Sequence, residues 1–161
     1  MAEHDIQGTR TIVVGVDGSD GSADAARWAF GQAALTGSHV EVITAWRWPS
    51  SWGAAIPMPT GFDPAGDARS MADEITGPLA DEFPTVTIHT RIVEGHPAEV
   101  LVEASRYADL LVVSSRGHGE FSGMLIGSVS LYCATRASCP VLVYREPEQG
   151  KSEQGKSEQG K

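Results

Sequence analysis

Cysteine is nearly absent: Cys133 and Cys139 are the only two in 161 residues. Two thiols are too few for a disulfide framework, and they form neither a C-x-x-C pair nor a zinc-ligand spacing with a histidine. They read as ordinary buried thiols of a chain kept in a reducing compartment. Positive charge is scarce as well. The chain has 12 Lys and Arg against 21 Asp and Glu, a formal net charge of −9. That balance excludes the broad basic surface with which proteins neutralise nucleic-acid phosphates or anionic lipid. One isolated phosphate ligand stays open, because helix ends and backbone N–H groups bind it in an acidic protein. No apolar run approaches the roughly 18 residues of a membrane span. The opening MAEHDIQGTR carries acids where a secretory leader carries an apolar segment. These absences lead to the expectation of a soluble cytoplasmic domain with no nucleic-acid and no membrane partner.

Several catalytic signatures are missing too. The stretch GKSEQGKS, Gly150 to Ser157, matches the phosphate-loop pattern G-x-x-x-x-G-K-[ST] letter for letter. A phosphate loop needs a buried strand before it and a helix after it, and neither flank is present. The stretch is instead part of a unit, EQGKS, repeating every five residues without an apolar side chain. Residues 147–161 are therefore expected to be a disordered low-complexity tail, and residues 1–9 a flexible N-terminus. No G-x-G-x-x-G follows the first strand, as a dinucleotide enzyme requires, and no G-x-S-x-G elbow appears. A response-regulator domain would carry neighbouring acids after the first strand and a lysine after the fifth, whereas Asp17 has no such neighbour and the last strand ends in YREPE. No nucleophile and base are visibly paired, so the chain is not expected to be an enzyme.

What is present is a regular alternation. TIVVGV, Thr11 to Val16, is an apolar β-branched run of strand length. Ala25, Ala26, Trp28, Ala29, Ala33 and Ala34 then follow at helical spacing, and Gly37 is placed to close that helix. HVEVITAW, His39 to Trp46, is a second strand. A stretch rich in Pro, Gly and Ser reads as a long loop, and the second helix is expected from about Ala68 to Phe83. Thr85 to Val93 alternates as a third strand. Pro97 suits the first turn of a helix whose apolar face is Val100, Leu101, Ala104 and Ala108. DLLVVS, GSVSLYCATRA and PVLVYR supply a fourth strand, a fourth helix and a fifth strand. Near-continuous apolar strands separated by helices predict an α/β fold, a doubly wound, Rossmann-like parallel sheet covered on both faces.

Such sheets bind ligands at the carboxyl ends of their strands, where the strand order reverses. Two strand ends carry unusual residues. The first strand ends in GVDGS, with Asp17 at its tip. The fourth runs into SSRGHGEFSGMLIGSVS, Ser114 to Ser130, a glycine-rich loop leading to a helix that opens with Gly127, Ser128 and Ser130. Small residues let the backbone approach a ligand, and the first N–H groups of the helix are free to donate to an anion.

From about Thr11 to Arg145 the chain resembles the universal stress proteins, through VVGVDGS, VEGHPAEVLVEAS, SRGHGEFSGMLIGSVS and CPVLVYR. Nucleotide-binding members share G-x2-G-x9-G-[ST]. Gly117, Gly127 and Ser128 match its last three positions, and Ser114 stands where the pattern has its first glycine. A Cβ and a hydroxyl are thereby placed at the end of the fourth strand, with weakened or re-angled binding as the expectation. The resemblance implies one domain over residues 10–146, strand order 3-2-1-4-5, and a cytoplasmic regulator or sensor in the stress response that binds ATP with Mg. Any ATP hydrolysis would be slow and incidental. Position by position it implies that Val16 and Asp17 lie against the nucleotide, Asp17 near the ribose or the metal-bound phosphates. Ala45 and Val113 would line the adenine pocket, and Gly117, Gly127, Ser128, Val129 and Ser130 would hold ribose and phosphates. Arg116 and His118, inside the loop, are candidate phosphate contacts. It further implies a homodimer through the fifth strand, by Val141, Leu142, Val143 and Tyr144. The other reading of the same resemblance is a nucleotide-free scaffold that works through protein contacts.

Each assignment has a plainer counterpart. Asp17 also suits an Asx-turn or a cap on the first helix. Ser128 suits an N-cap, and Gly117, Gly119 and Gly123 a surface turn. Trp28 reads as core. Trp46, Trp48 and Trp52 read either as a lid over the site or as local packing.

Overall fold

A computed structural model describes residues 10–49, 59–117 and 125–146. His118, Trp52, residues 1–9 and the repeat-bearing residues 147–161 lie outside the described residues. The elements in chain order are β1 (Thr11–Gly15), α1 (Asp20–Thr36), β2 (His39–Trp46), α2 (Pro64–Glu82), β3 (Ile88–Glu94), α3 (Pro97–Ala104), β4 (Leu110–Ser114), α4 (Ser128–Arg136) and β5 (Val141–Tyr144). All pairings are parallel, in the order β3-β2-β1-β4-β5. This is the α/β fold and the order that the resemblance implied.

Helix ends follow from local chemistry. Ser19 caps α1 by accepting the Ser22 N–H at 3.2 Å, and Gly37, at φ 69°, closes it in a left-handed conformation that a Cβ would disfavour. The second helix begins four residues before its predicted start, because Asp63 accepts the Gly66 N–H at 2.9 Å and Pro64 fills the first turn. Proline and glycine there belong to a cap, not to the loop. The third helix ends at Ala104, so Ala108 lies beyond it, and β3 starts at Ile88 because Val86 still bonds back to Phe83 at 3.1 Å.

Alternation sends successive strand residues to opposite faces. Val14, Val40, Val42 and Val112 pack under α1 and α2 with Ala25, Ala29 and Phe30. Trp28 is half-buried against that cluster, in keeping with its core reading. Val13, Ile43, Leu111 and Val113 pack under α3 and α4 with Leu101, Ala104 and Cys133. Glu41 is a charged exception on the second face. Its carboxylate accepts from Arg91 at 2.7 Å and Tyr107 at 2.9 Å, tying β2 to β3 and to the turn before β4. Burial, and then the bond to Glu41, push the Tyr107 phenol up to about 12.

Cys133 is fully buried, and desolvation pushes its thiol up from 9.0 to about 11. The folded chain thus keeps a proton that the unfolded chain gives up. The stability involved is whole below about pH 9 and is lost as pH rises through about 11. A shift of that size corresponds to roughly 2–3 kcal/mol. Urea unfolding of Cys133→Ala should therefore show a shallower loss of stability between these pH values than the parent, whereas parallel pH curves would contradict the assignment.

Candidate functional site

The strand order reverses at β1, whose following strand β2 lies on one side and β4 on the other. A cavity of about 550 Å³ opens there. Val16 and Asp17 reach it from the end of β1, Ala45 from β2, and Val113 and Ser114 from β4. Arg116 and Gly117 reach it from the loop, and Gly127, Ser128, Val129 and Ser130 from the start of α4. Every predicted site residue within the described residues lines this one cavity. Gly15, Ile43, Pro97, Leu101 and Ile126 line it as well and were missed. Ile43 lies two residues before Ala45 on the same strand face, and Pro97 and Leu101 are one helical turn apart on α3. That periodicity is the signal that could have found them.

The cavity has two characters. Ile43, Ala45, Pro97, Leu101 and Val113 give it apolar lining. Asp17, Arg116, Gly117 and the start of α4 add charge and backbone N–H groups. Gly127 is the N-cap of α4, no side chain among the described residues caps that helix, and its first residues line the cavity, where helix N–H groups can serve as anion donors. The loop before it is braced. Ser115 N–H donates to Tyr144 O at 2.6 Å, Gly127 N–H to Ser115 O at 2.6 Å, Ser130 Oγ to Ser114 O, and Ser114 Oγ to Arg116 O at 2.7 Å.

Asp17 makes the expected Asx-turn. Its Oδ1 accepts the Ser19 N–H at 3.0 Å and the Ser19 hydroxyl, while Ser19 itself caps α1. The same carboxylate lies against Gly117, where a Cβ would come within 2.6 Å of Asp17 Oδ2. Turn and site roles therefore coincide in one residue. Ser114 differs from expectation in direction. Its Cβ would stand 3.5 Å from a Cβ on Gly21, in the first turn of α1, so the side chain borders that helix at the rim of the cavity that the residue lines. Trp46 and Trp48 do not line the cavity. Their rings meet edge to face at 5.6 Å, and Trp48 packs on Phe62 at 6.0 Å, which is the packing alternative.

Among the described residues no group of three His, Cys, Asp or Glu could hold a metal ion by itself.

Comparison with known proteins agrees with this architecture. The universal stress protein family model matches residues 8–145. A universal stress protein of Mycolicibacterium smegmatis is 34% identical over 135 residues, which are 83% of this chain and 45% of that protein. One from Mycobacterium tuberculosis is 35% identical over 142 residues, 84% of this chain and 45% of that protein. The chain thus spans about half the length of these curated relatives. Among solved structures, a universal stress protein in complex with cAMP is 31% identical, with a TM-score of 0.59 over 83% of this chain and 94% of its own. UspA from Lactobacillus plantarum shares the fold at 19% identity, with a TM-score of 0.61 over 84% of this chain and 97% of its own. On the family match and these identities, the chain belongs to the universal stress protein family.

Proposed function

We propose that this chain binds an adenine nucleotide, ATP with Mg, and acts as a nucleotide-dependent regulator or sensor in the cytoplasmic stress response. The observation that carries the reading is the cavity at the reversal point, whose lining joins apolar side chains to the N-terminus of α4 and to a glycine that keeps the loop backbone close. The apolar side chains suit a purine. The α4 N–H groups, Gly117 and the Arg116 guanidinium suit phosphates, and Asp17 suits a Mg ion already held by those phosphates. The cAMP complex of a 31% identical relative supports the adenine class. The role is binding rather than catalysis. Asp17 is the one carboxylate among the described residues lining the cavity, and its Oδ1 is engaged by Ser19, so hydrolysis of bound ATP is expected to be slow.

Denaturing the purified chain and identifying released nucleotide by chromatography tests the reading, together with calorimetric titration by MgATP and by cyclic AMP. Released adenine nucleotide or saturable MgATP binding is the expected result. A chain that releases none and binds neither ligand would leave the scaffold reading in its place.

The chain is further proposed to dimerise through the open edge of β5. Leu111 N–H donates to Pro140 O and Ser115 N–H to Tyr144 O, so the even-numbered residues of β5 face β4. The backbone groups of Val141 and Val143 therefore open outward, as a ladder for a second copy. Lysine at these two positions would also strike the core, because both side chains pack under α4. Val143→Pro is the cleaner test, since it removes an outward N–H and spares the β4 ladder. The parent should be a dimer by light scattering and the variant a folded monomer. A parent monomeric at micromolar concentration would refute the interface.

A further inference from the structure

We propose that Ser114, standing where the family pattern has glycine, is a positioning residue that holds the Arg116 carbonyl out of contact with the phosphates of a bound nucleotide. The inference rests on the nucleotide-binding reading and adds to it what sets the polarity of the loop. A phosphate is drawn to N–H groups and repelled by carbonyl oxygens, so a backbone that cradles one must engage its carbonyls elsewhere. Three consecutive carbonyls follow the end of β4, and each has a donor. Ser114 O accepts from Ser130 Oγ, Ser115 O from Gly127 N–H at 2.6 Å, and Arg116 O from Ser114 Oγ at 2.7 Å.

The first two donors belong to the start of α4. The third is the Ser114 hydroxyl, and a glycine at 114 could not supply it. That hydrogen bond keeps the Arg116 carbonyl on the α1 side, 3.5 Å from where a Cβ on Gly21 would stand; without it the carbonyl is free to turn toward the cavity, where it would oppose a phosphate. Nothing in the backbone demands glycine at 114, because no non-glycine residue among the described ones has positive φ. The side chain also has space, since its Cβ would stand at an ordinary 3.5 Å even from a Cβ on Gly21. Serine at this position therefore strengthens the phosphate part of binding, the reverse of what the glycine pattern suggests.

The test compares Ser114→Ala, Ser114→Gly and Ser114→Thr with the parent, titrating each with MgATP and with adenosine by NMR, which reads weak as well as tight binding. Adenosine has no phosphate and serves as the control for a merely structural effect. Loss of the hydroxyl in the alanine and glycine variants should weaken MgATP binding about tenfold, the size of a lost hydrogen bond beside a charge, with adenosine unchanged. Ser114→Thr, which keeps the hydroxyl, should match the parent. Unchanged or tighter MgATP binding by the alanine and glycine variants overturns the inference. So does a parallel loss of adenosine, or a failure of threonine to restore binding. A parent that binds neither ligand refutes the nucleotide reading itself, and the role of Ser114 with it.

Discussion

Gly127→Val should lower the affinity for MgATP by roughly 30- to 100-fold while the chain stays folded. A Cβ at this position would lie 3.3 Å from the Ser115 carbonyl oxygen, 3.7 Å from Arg116 Cα and 3.9 Å from Ser130 Oγ. The first of these is backbone, and it is the acceptor of the Gly127 N–H itself. One methyl group needs a shift of a few tenths of an ångström. Two further carbons push the start of α4 off the loop and turn its N–H groups from their aim. The backbone angles of Gly127, φ −77° and ψ 165°, are open to any residue, so the effect comes from space and not from strain. Overpacking of this kind costs about 2–3 kcal/mol, which sets the expected fold-change. Gly127→Ala should lose only a few-fold. Calorimetric titration of both variants checks the gradation, and a folded valine variant that binds within about threefold of the parent would remove Gly127 from the cradle.

Much of the architecture was legible because it is written locally. Apolar runs of strand length, helical spacing and turn residues each act over a few residues, and they located all nine elements of the described residues. The strand order is not local; it came from the resemblance, since periodicity does not say which strand lies beside which. The start of α2 was missed because Pro64 and Gly66 read as loop until Asp63 is seen to cap them. Glu41 is a lone charge within the apolar run of β2. Its partners Arg91 and Tyr107 lie 50 and 66 residues away, and no short-range pattern joins them.

The site divides in the same way. Asp17 at a strand tip and the spacing of Gly117, Gly127 and Ser128 are marked by residue type and position. Ile43 and Leu101 are not, because an apolar side chain that lines a cavity is indistinguishable in sequence from one that fills a core. The direction of Ser114 was equally hidden. It depends on the face that β4 presents once it is seated between β1 and β5, and on the absence of a side chain at Gly21.

The close approach of α3 to β1 leads to the second large effect, expected for Gly15→Val. A Cβ on Gly15 would lie 2.7 Å from Leu101 Cδ1, closer than real contacts come, and 3.2 Å from Leu101 Cδ2, which is tight. Either α3 lifts from the sheet or the leucine swings toward the cavity that it lines. The first response costs packing in the cluster of Val13, Ile43 and Cys133, and the second takes room beside the apolar lining of the site. Destabilisation of roughly 2–3 kcal/mol is expected, with MgATP affinity reduced about tenfold. Leu101→Ala alone should cost about 2–5 kcal/mol by leaving a cavity. Combined, the two changes exchange volume across one contact, so the valine fills what the leucine vacated. The double variant should therefore be more stable than the sum of the single losses predicts, by about 1 kcal/mol or more. Urea unfolding of the four proteins measures that coupling directly. Losses that add to within about 0.5 kcal/mol would mean that Gly15 and Leu101 do not share the contact, and that the distance between α3 and β1 is set elsewhere.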